Sequence, residues 1–215
     1  MQATRANLLK QAATHLSSHD PFLAQVIARV GPCTIEPHSN YYQELVESII
    51  SQQLSVKAAA TIWQRFLQLF DGTFPMPQEI LAKDPEVLRS VGLSRAKAAY
   101  VQAIATHIMD GRLEINKLPE LSNEQIIAEL TAIKGVGEWT AHMFLIFSLG
   151  RMDVLAVGDL GIRNGILQLY SLPELPDAKT TQALAERYQW HPYESVACWY
   201  IWQSLDNKPP TAVAS

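Results

Sequence analysis

The segment Gly135-Val136-Gly137 constrains this chain more than any other, because it joins two apolar-periodic segments through a tight turn. Before it, Ile126, Ile127, Leu130 and Ile133 mark one helical face. Ser122 followed by Gln125 predicts a capping box that opens this helix. After the turn, Trp139 to Leu149 is apolar on nearly every side, which predicts a buried second helix. Glycines at 135 and 137 permit positive φ and close approach of backbone to a ligand. N–H groups at the start of the second helix would then face an anion, with the helix dipole assisting, and a phosphate is the natural guest. Taken alone, the same two glycines equally serve a plain helix–helix connection that binds nothing.

Further on, an apolar run at Val154 to Val157 leads to Gly158-Asp159-Leu160-Gly161, where a new helix should begin. Asp159 by itself reads as an N-cap, since aspartate is a preferred residue there. The order is more specific than its parts: hairpin, buried helix, loop, then aspartate at a helix start. Gly-Val-Gly-Glu-Trp-Thr-Ala at 135–141 and Val-Gly-Asp-Leu-Gly-Ile-Arg at 157–163 resemble the helix-hairpin-helix DNA glycosylase superfamily. The resemblance is strongest to its alkylated-base branch, the DNA-3-methyladenine glycosylase II family, and runs from about Tyr42 to Trp202.

That resemblance implies an all-α, two-lobed fold with the active-site cleft between the lobes. Residues 1–215 would form a single glycosylase unit. Its central helical lobe would span 40–150, with the hairpin at 130–141, and 1–39 with 151–215 would pack as the second lobe. It also implies a monofunctional enzyme that flips alkylated purines out of duplex DNA and hydrolyses the N-glycosidic bond, leaving an abasic site. Asp159 would be the catalytic carboxylate, stabilising an oxocarbenium-like sugar and orienting water. A base alkylated at N3 or N7 is cationic and leaves without a dedicated general acid.

A cationic base calls for aromatic faces. Trp139 and Trp202 are the pocket candidates by family pattern, with Tyr42 behind them, and burial in an ordinary core is the competing role. Met143 stands where familiar members carry an aromatic, which leaves base preference open. In Ser51-Gln52-Gln53-Leu54-Ser55, Gln53 falls at the position of the intercalating side chain, with Leu54 in contention. Lys134, Gly135, Gly137 and Thr140 would bind a DNA phosphate. The carbonyls of Thr131, Ile133 and Val136 would hold a structural monovalent cation, and no cofactor is required for the chemistry. Bifunctional relatives carry a lysine where this chain has Trp139, so strand cutting through a Schiff base is not expected. Cys198 alone cannot hold an iron–sulfur cluster.

Composition bounds the partners. The 215 residues are 48% hydrophobic and 18% charged, as in a folded globular protein. The net charge of −4 counts against DNA binding, although distribution matters more than the sum. Lys83, Arg89, Arg95, Lys97 and Arg112 lie in one stretch against Asp84, Glu86 and Asp110, which predicts a basic face. No window is long enough for a membrane span, and no signal peptide is read at the N-terminus. The expected setting is the cytoplasm or nucleoid of a bacterium, or a eukaryotic nucleus. The expected partner is double-stranded DNA containing alkylated bases, bound by a monomer. Cys33 and Cys198 read as free buried thiols, and the six histidines show no zinc-site spacing.

Most of the remaining chain reads helical. Asn40 caps a helix carrying Val46, Ile49, Ile50 and Leu54, and Ala58, Ile62, Phe66 and Leu69 continue at helical spacing. Asp84-Pro85 and Ser94 read as further starts, and 177–188 with 192–205 as the last two helices. Leu88 to Ser94 echoes Leu130 to Gly137, by chance or as a second turn of the same kind. The N-terminal β-rich domain of larger relatives is expected to be missing, and the tail 208–215 is expected to fray. The readings that compete with the alkylpurine enzyme are a glycosylase for uracil or oxidised bases, a non-catalytic DNA-binding module and a protein-binding adaptor.

Overall fold

The structure is a computed structural model and describes residues 4–205. Those residues form helices α1 (Arg5–His19), α2 (Pro21–Val30), α3 (Tyr41–Ser51), α4 (Val56–Gln68), α5 (Pro77–Leu81), α6 (Pro85–Ser90), α7 (Arg95–Met109), α8 (Asn123–Thr131), α9 (Glu138–Met143), α10 (Leu160–Leu169), α11 (Ala178–Arg187) and α12 (Glu194–Ser204). A 3₁₀ turn at Ile115–Glu120 precedes α8, and a π-type turn at Phe144–Ser148 continues α9. No strand forms among the described residues, and Val154 to Ala156 is loop. The all-α expectation holds. The tail 208–215 lies outside the described residues.

Local chemistry explains most helix starts. Thr4, Asp20, Asn40, Ser55, Asp84, Ser94, Ser122, Asp159 and Asp177 each accept a hydrogen bond from a first-turn N–H of the helix that follows. The Ser122–Gln125 capping box forms in both directions, at 2.9 and 3.3 Å. The echo at Leu88 to Ser94 is structural: Gly92 takes φ +110° between α6 and α7, as Gly135 takes φ +97° between α8 and α9.

The chain divides into two compact units. One comprises 4–37 and 145–205, the other 38–144. The division thus falls at Phe144–Leu145 rather than after Gly150. The reason is local: Arg151 N–H donates to the Leu145 carbonyl, and the Arg5 guanidinium donates to the Gly150 carbonyl at 2.8 Å.

In the terminal unit, α12 is the central element and packs on α1, α2 and α10. Every residue from Ser195 to Trp202 is buried, as suits a helix apolar on all sides. A carboxylate organises the far end of this unit. Asp20 is fully buried; its Oδ1 accepts from the N–H groups of Phe22 and Leu23, and its Oδ2 from Trp190 Nε1 and the Tyr170 hydroxyl. In the hairpin unit, α7 is the hub, packing on α3, α5 and α6. Among the described residues, no helix is long and apolar enough to cross a membrane.

Candidate functional site

Asp159 sits at the head of α10 and is 9% exposed. Its Oδ1 accepts from the Ile162 N–H at 2.8 Å and from Trp202 Nε1 at 2.9 Å. The Trp202 ring lies 5.7 Å from that of Phe147. Two glycines one helical turn apart make this meeting sterically feasible. A Cβ at Gly165 would sit 2.4 Å from Ile201 Cγ2, so α10 and α12 cross in close contact there. A Cβ at Gly161 would sit 3.0 Å from Asp159 Oδ1 and 3.1 Å from the indole. The motif Gly161-Ile-Arg-Asn-Gly165 is the sequence signal for this crossing. Reading the aspartate loop without the turn that follows it misses that signal.

The hairpin is built from α8, a turn and α9. Ile133 and Val136 are buried and close the turn through Val136 N–H to the Ile133 carbonyl at 3.0 Å. Of the two glycines, only Gly135 takes positive φ. Gly137 is extended at φ −94°, ψ 171°, and serves as the N-cap of α9. Gly137 has no side chain to cap the first turn, and a Cβ there would meet nothing within 4 Å. Lys134 and Gly137 are exposed. Thr140, expected among the phosphate ligands, is only 4% exposed, and its Oγ1 accepts from Gln52 Nε2 at 3.3 Å. The hydroxyl points inward because it secures the loop after α3.

That loop holds the two wedge candidates. Gln53 is exposed and takes φ +56°, a left-handed conformation uncommon for a residue with a side chain. Leu54, expected on the buried face of α3, is instead 36% exposed, because α3 ends at Ser51.

The other pocket candidates divide between the units. Trp202 is 4% exposed and belongs with Asp159. Tyr42, Trp139 and Met143 belong to the hairpin unit. Tyr42 packs edge-on against Phe74, its hydroxyl is buried without a hydrogen-bond partner, and burial near Glu79 pushes its pKa up. Met143 is buried, whereas Trp139 on the outer face of α9 is 42% exposed. Burial lowers the pKa of His142, against the opposing pull of Glu138.

The expected basic face is mostly committed elsewhere. Arg89 pairs with Glu86 at 2.5 Å, Arg112 with Asp110 at 2.7 Å, and Lys83 lies over the Phe70 ring. Lys97 turns inward to two backbone carbonyls. Charges adjacent in sequence found partners closer than DNA. Both cysteines are free and buried, with thiol pKa values pushed up to about 11 for Cys33 and about 12 for Cys198. No group of three or more metal-binding side chains forms among the described residues.

A family model described as HhH-GPD superfamily base excision DNA repair protein matches residues 46–189. The chain belongs to this superfamily. Its match spans the loop after α3, the hairpin and Asp159, while Trp202 lies beyond it. The chain is 38% identical over 201 residues to DNA-3-methyladenine glycosylase 1 of Schizosaccharomyces pombe, covering 91% of this chain and 87% of that relative. It is similar in structure to Schizosaccharomyces pombe 3-methyladenine DNA glycosylase in complex with abasic DNA, with TM-score 0.80 and 37% identity over 90% of this chain and 95% of that one. DNA-3-methyladenine glycosidase from Bacillus halodurans gives TM-score 0.80 and 39% identity, over 90% and 88% of the two chains.

Proposed function

We propose that this HhH-GPD superfamily member is a monofunctional DNA glycosylase of base excision repair. It takes alkylated purines of the 3-methyladenine class out of duplex DNA and hydrolyses their N-glycosidic bonds. Its relatives named as 3-methyladenine glycosylases support the substrate class. The observation that carries the reading is the Asp159 carboxylate, fixed through Oδ1 by one backbone and one indole N–H.

In the step we propose, the C1′–N bond breaks and the cationic base leaves with the bonding pair, becoming neutral. The sugar gains oxocarbenium character, which the carboxylate stabilises. Water adds to C1′ and loses a proton, with Asp159 orienting it. The product is an abasic site. With Trp139 in place of a lysine, no Schiff-base nucleophile stands at that position, and strand cutting is not part of the proposed reaction.

We assign Trp202, Tyr42, Trp139 and Met143 to contacts with the base, and Gln53 with Leu54 to the wedge. Lys134 and the N–H groups following Gly135 and Gly137 are assigned to phosphate, with Thr140 contributing through its backbone. The carbonyls of Thr131, Ile133 and Val136 are an all-oxygen set of the kind hard cations accept. A monovalent cation there would brace the phosphate. The proposed reaction draws on no cofactor.

The test is release of methylated bases from alkylated duplex DNA by wild type beside Asp159→Asn. Release by wild type and near-loss in a folded variant are expected. No release by folded wild type would overturn the alkylpurine assignment.

A further inference from the structure

The loop after α3 and the hairpin turn are both held from one helix. In α7, Lys97 and Tyr100 stand three residues apart and therefore share a face. Lys97 Nζ donates to the Ile50 carbonyl at 2.8 Å and to the Gln52 carbonyl at 2.7 Å. These carbonyls lie at the C-terminal end of α3, where the helix leaves its last acceptors without intrahelical partners and where positive charge is favoured. Tyr100 lies under the other element: a Cβ built on Gly135 would sit 2.1 Å from Tyr100 Cγ, so the ring packs directly on the hairpin backbone. Gln52 closes the circuit. Its Nε2 donates to the Gly135 carbonyl at 3.4 Å and to Thr140 Oγ1 at 3.3 Å, one on each side of the Gly137 cap. The next residue, Gln53, is the one held at φ +56°.

We infer that Lys97, Tyr100 and Gln52 are positioning residues that join the Gln53–Leu54 loop and the phosphate-binding hairpin into one rigid piece. The inference rests on the wedge reading above and assigns that wedge its support. A side chain driven into a base stack experiences a restoring force from the closing stack. A left-handed, exposed Gln53 on an unbraced loop would yield to it. With Lys97 anchoring the preceding carbonyls and Gln52 tied to the hairpin, the phosphate grip supplies the reaction force for the wedge. Lys97 thus serves DNA recognition from inside the protein, through backbone carbonyls rather than through phosphates.

The brace matters most when the base to be displaced is held by a partner. Single-turnover base release is measured on two duplexes, one with the methylated purine paired and one with it opposite an abasic analogue. Lys97→Met keeps the aliphatic stem and removes the donors. It should slow release from the paired lesion by about tenfold or more, the effect of losing charged hydrogen bonds, and leave the unpaired lesion within about threefold. Lys97→Arg should recover much of the difference. The Gln53→Ala/Leu54→Ala double variant is run beside them. A paired-lesion defect in the double variant with none in Lys97→Met overturns the brace. Equal losses on both duplexes for Lys97→Met, or no recovery by Lys97→Arg, overturn it as well. No paired-lesion defect in the double variant overturns the wedge reading itself.

Discussion

Helices α9 and α10 begin in opposite ways. At the start of α9 stands Gly137, which has no side chain to offer the first-turn N–H groups. At the start of α10 stands Asp159, whose Oδ1 accepts from the Ile162 N–H. The same elementary deficit, donors left over at a helix start, is met in two ways. At α10 the chain supplies its own anion, and capping fixes that carboxylate in place. At α9 the cap offers no side-chain acceptor, and a DNA phosphate is the partner we propose for this helix start. Asp177 and Ser94 cap their helices in the same way as Asp159, but both are exposed, whereas Asp159 is buried and also accepts from the Trp202 indole N–H.

The largest expected effect tests whether the α10 cap is more than a cap. Asparagine caps a helix about as well as aspartate, so Asp159→Asn removes charge and keeps the local fold. Base release should fall by about 10²–10⁴-fold, with an unchanged melting temperature. Asp159→Ala should lose as much activity and in addition about 1 kcal/mol of stability. Retention of more than a tenth of wild-type activity by Asp159→Asn would reduce Asp159 to a structural cap and erase the contrast with Ser94.

The complementary change gives α9 the cap it lacks. Gly137→Asp introduces a side chain into open space at an ordinary φ, so strain is absent. Stability should hold or rise by about 0.5 kcal/mol, since Asp and Gly differ little as caps. Affinity for an abasic duplex should fall about a hundredfold, because an internal carboxylate would take the donors and repel the phosphate. Unchanged affinity in a fluorescence anisotropy titration would mean that the start of α9 faces no phosphate.

Local signals in the sequence mark both helix starts. The Asp159 cap and the Ser122–Gln125 box are local, so composition and spacing suffice. The turn between Leu130 and Glu138 was legible for the same reason, though only structure separates Gly135, at φ +97° with the Tyr100 ring where a Cβ would stand, from Gly137, which is extended. What could not be read were partners distant in the chain. Thr140 turns inward because Gln52 comes to it, and Lys97 leaves the basic stretch because two carbonyls of the α3 region meet it. Asp20 unites α2 with Tyr170 and Trp190 through contacts about 150 or more residues apart. Trp202 was singled out by resemblance as a base contact, but its indole N–H on Asp159 is a property of the α10–α12 crossing.

That bond supplies the next prediction. Trp202→Phe keeps an aromatic ring beside Phe147 and removes the donor to Oδ1. The single-turnover rate should fall about tenfold, as for loss of one charge-assisted hydrogen bond, while affinity for abasic duplex stays within about twofold. An equal fall in affinity would assign Trp202 to stacking on DNA rather than to holding the carboxylate.

The smallest effect sharpens what makes Asp159 special, because Glu47 in α3 is equally buried, with each residue 9% exposed. The Glu47 Oε1 has no hydrogen-bond partner, and burial together with nearby Glu44 pushes its pKa up to about 7. Glu44 in turn faces His38 at 3.3 Å. An unfolded chain releases this proton near the ordinary glutamate value, well before the folded one does. Stability carried by the neutral carboxyl is therefore complete below about pH 4.5 and is lost as pH rises to about 7. Glu47→Gln cannot ionise, so its advantage over wild type should grow across that window. Urea melts should give near-equal stabilities at pH 5 and favour the variant by about 1 kcal/mol at pH 8. Base release should stay within about twofold, since the reaction proposed above assigns no role to Glu47. A rate loss comparable to that of Asp159→Asn would place a second carboxylate in the reaction and end the claim that the capped helix start alone supplies the chemistry.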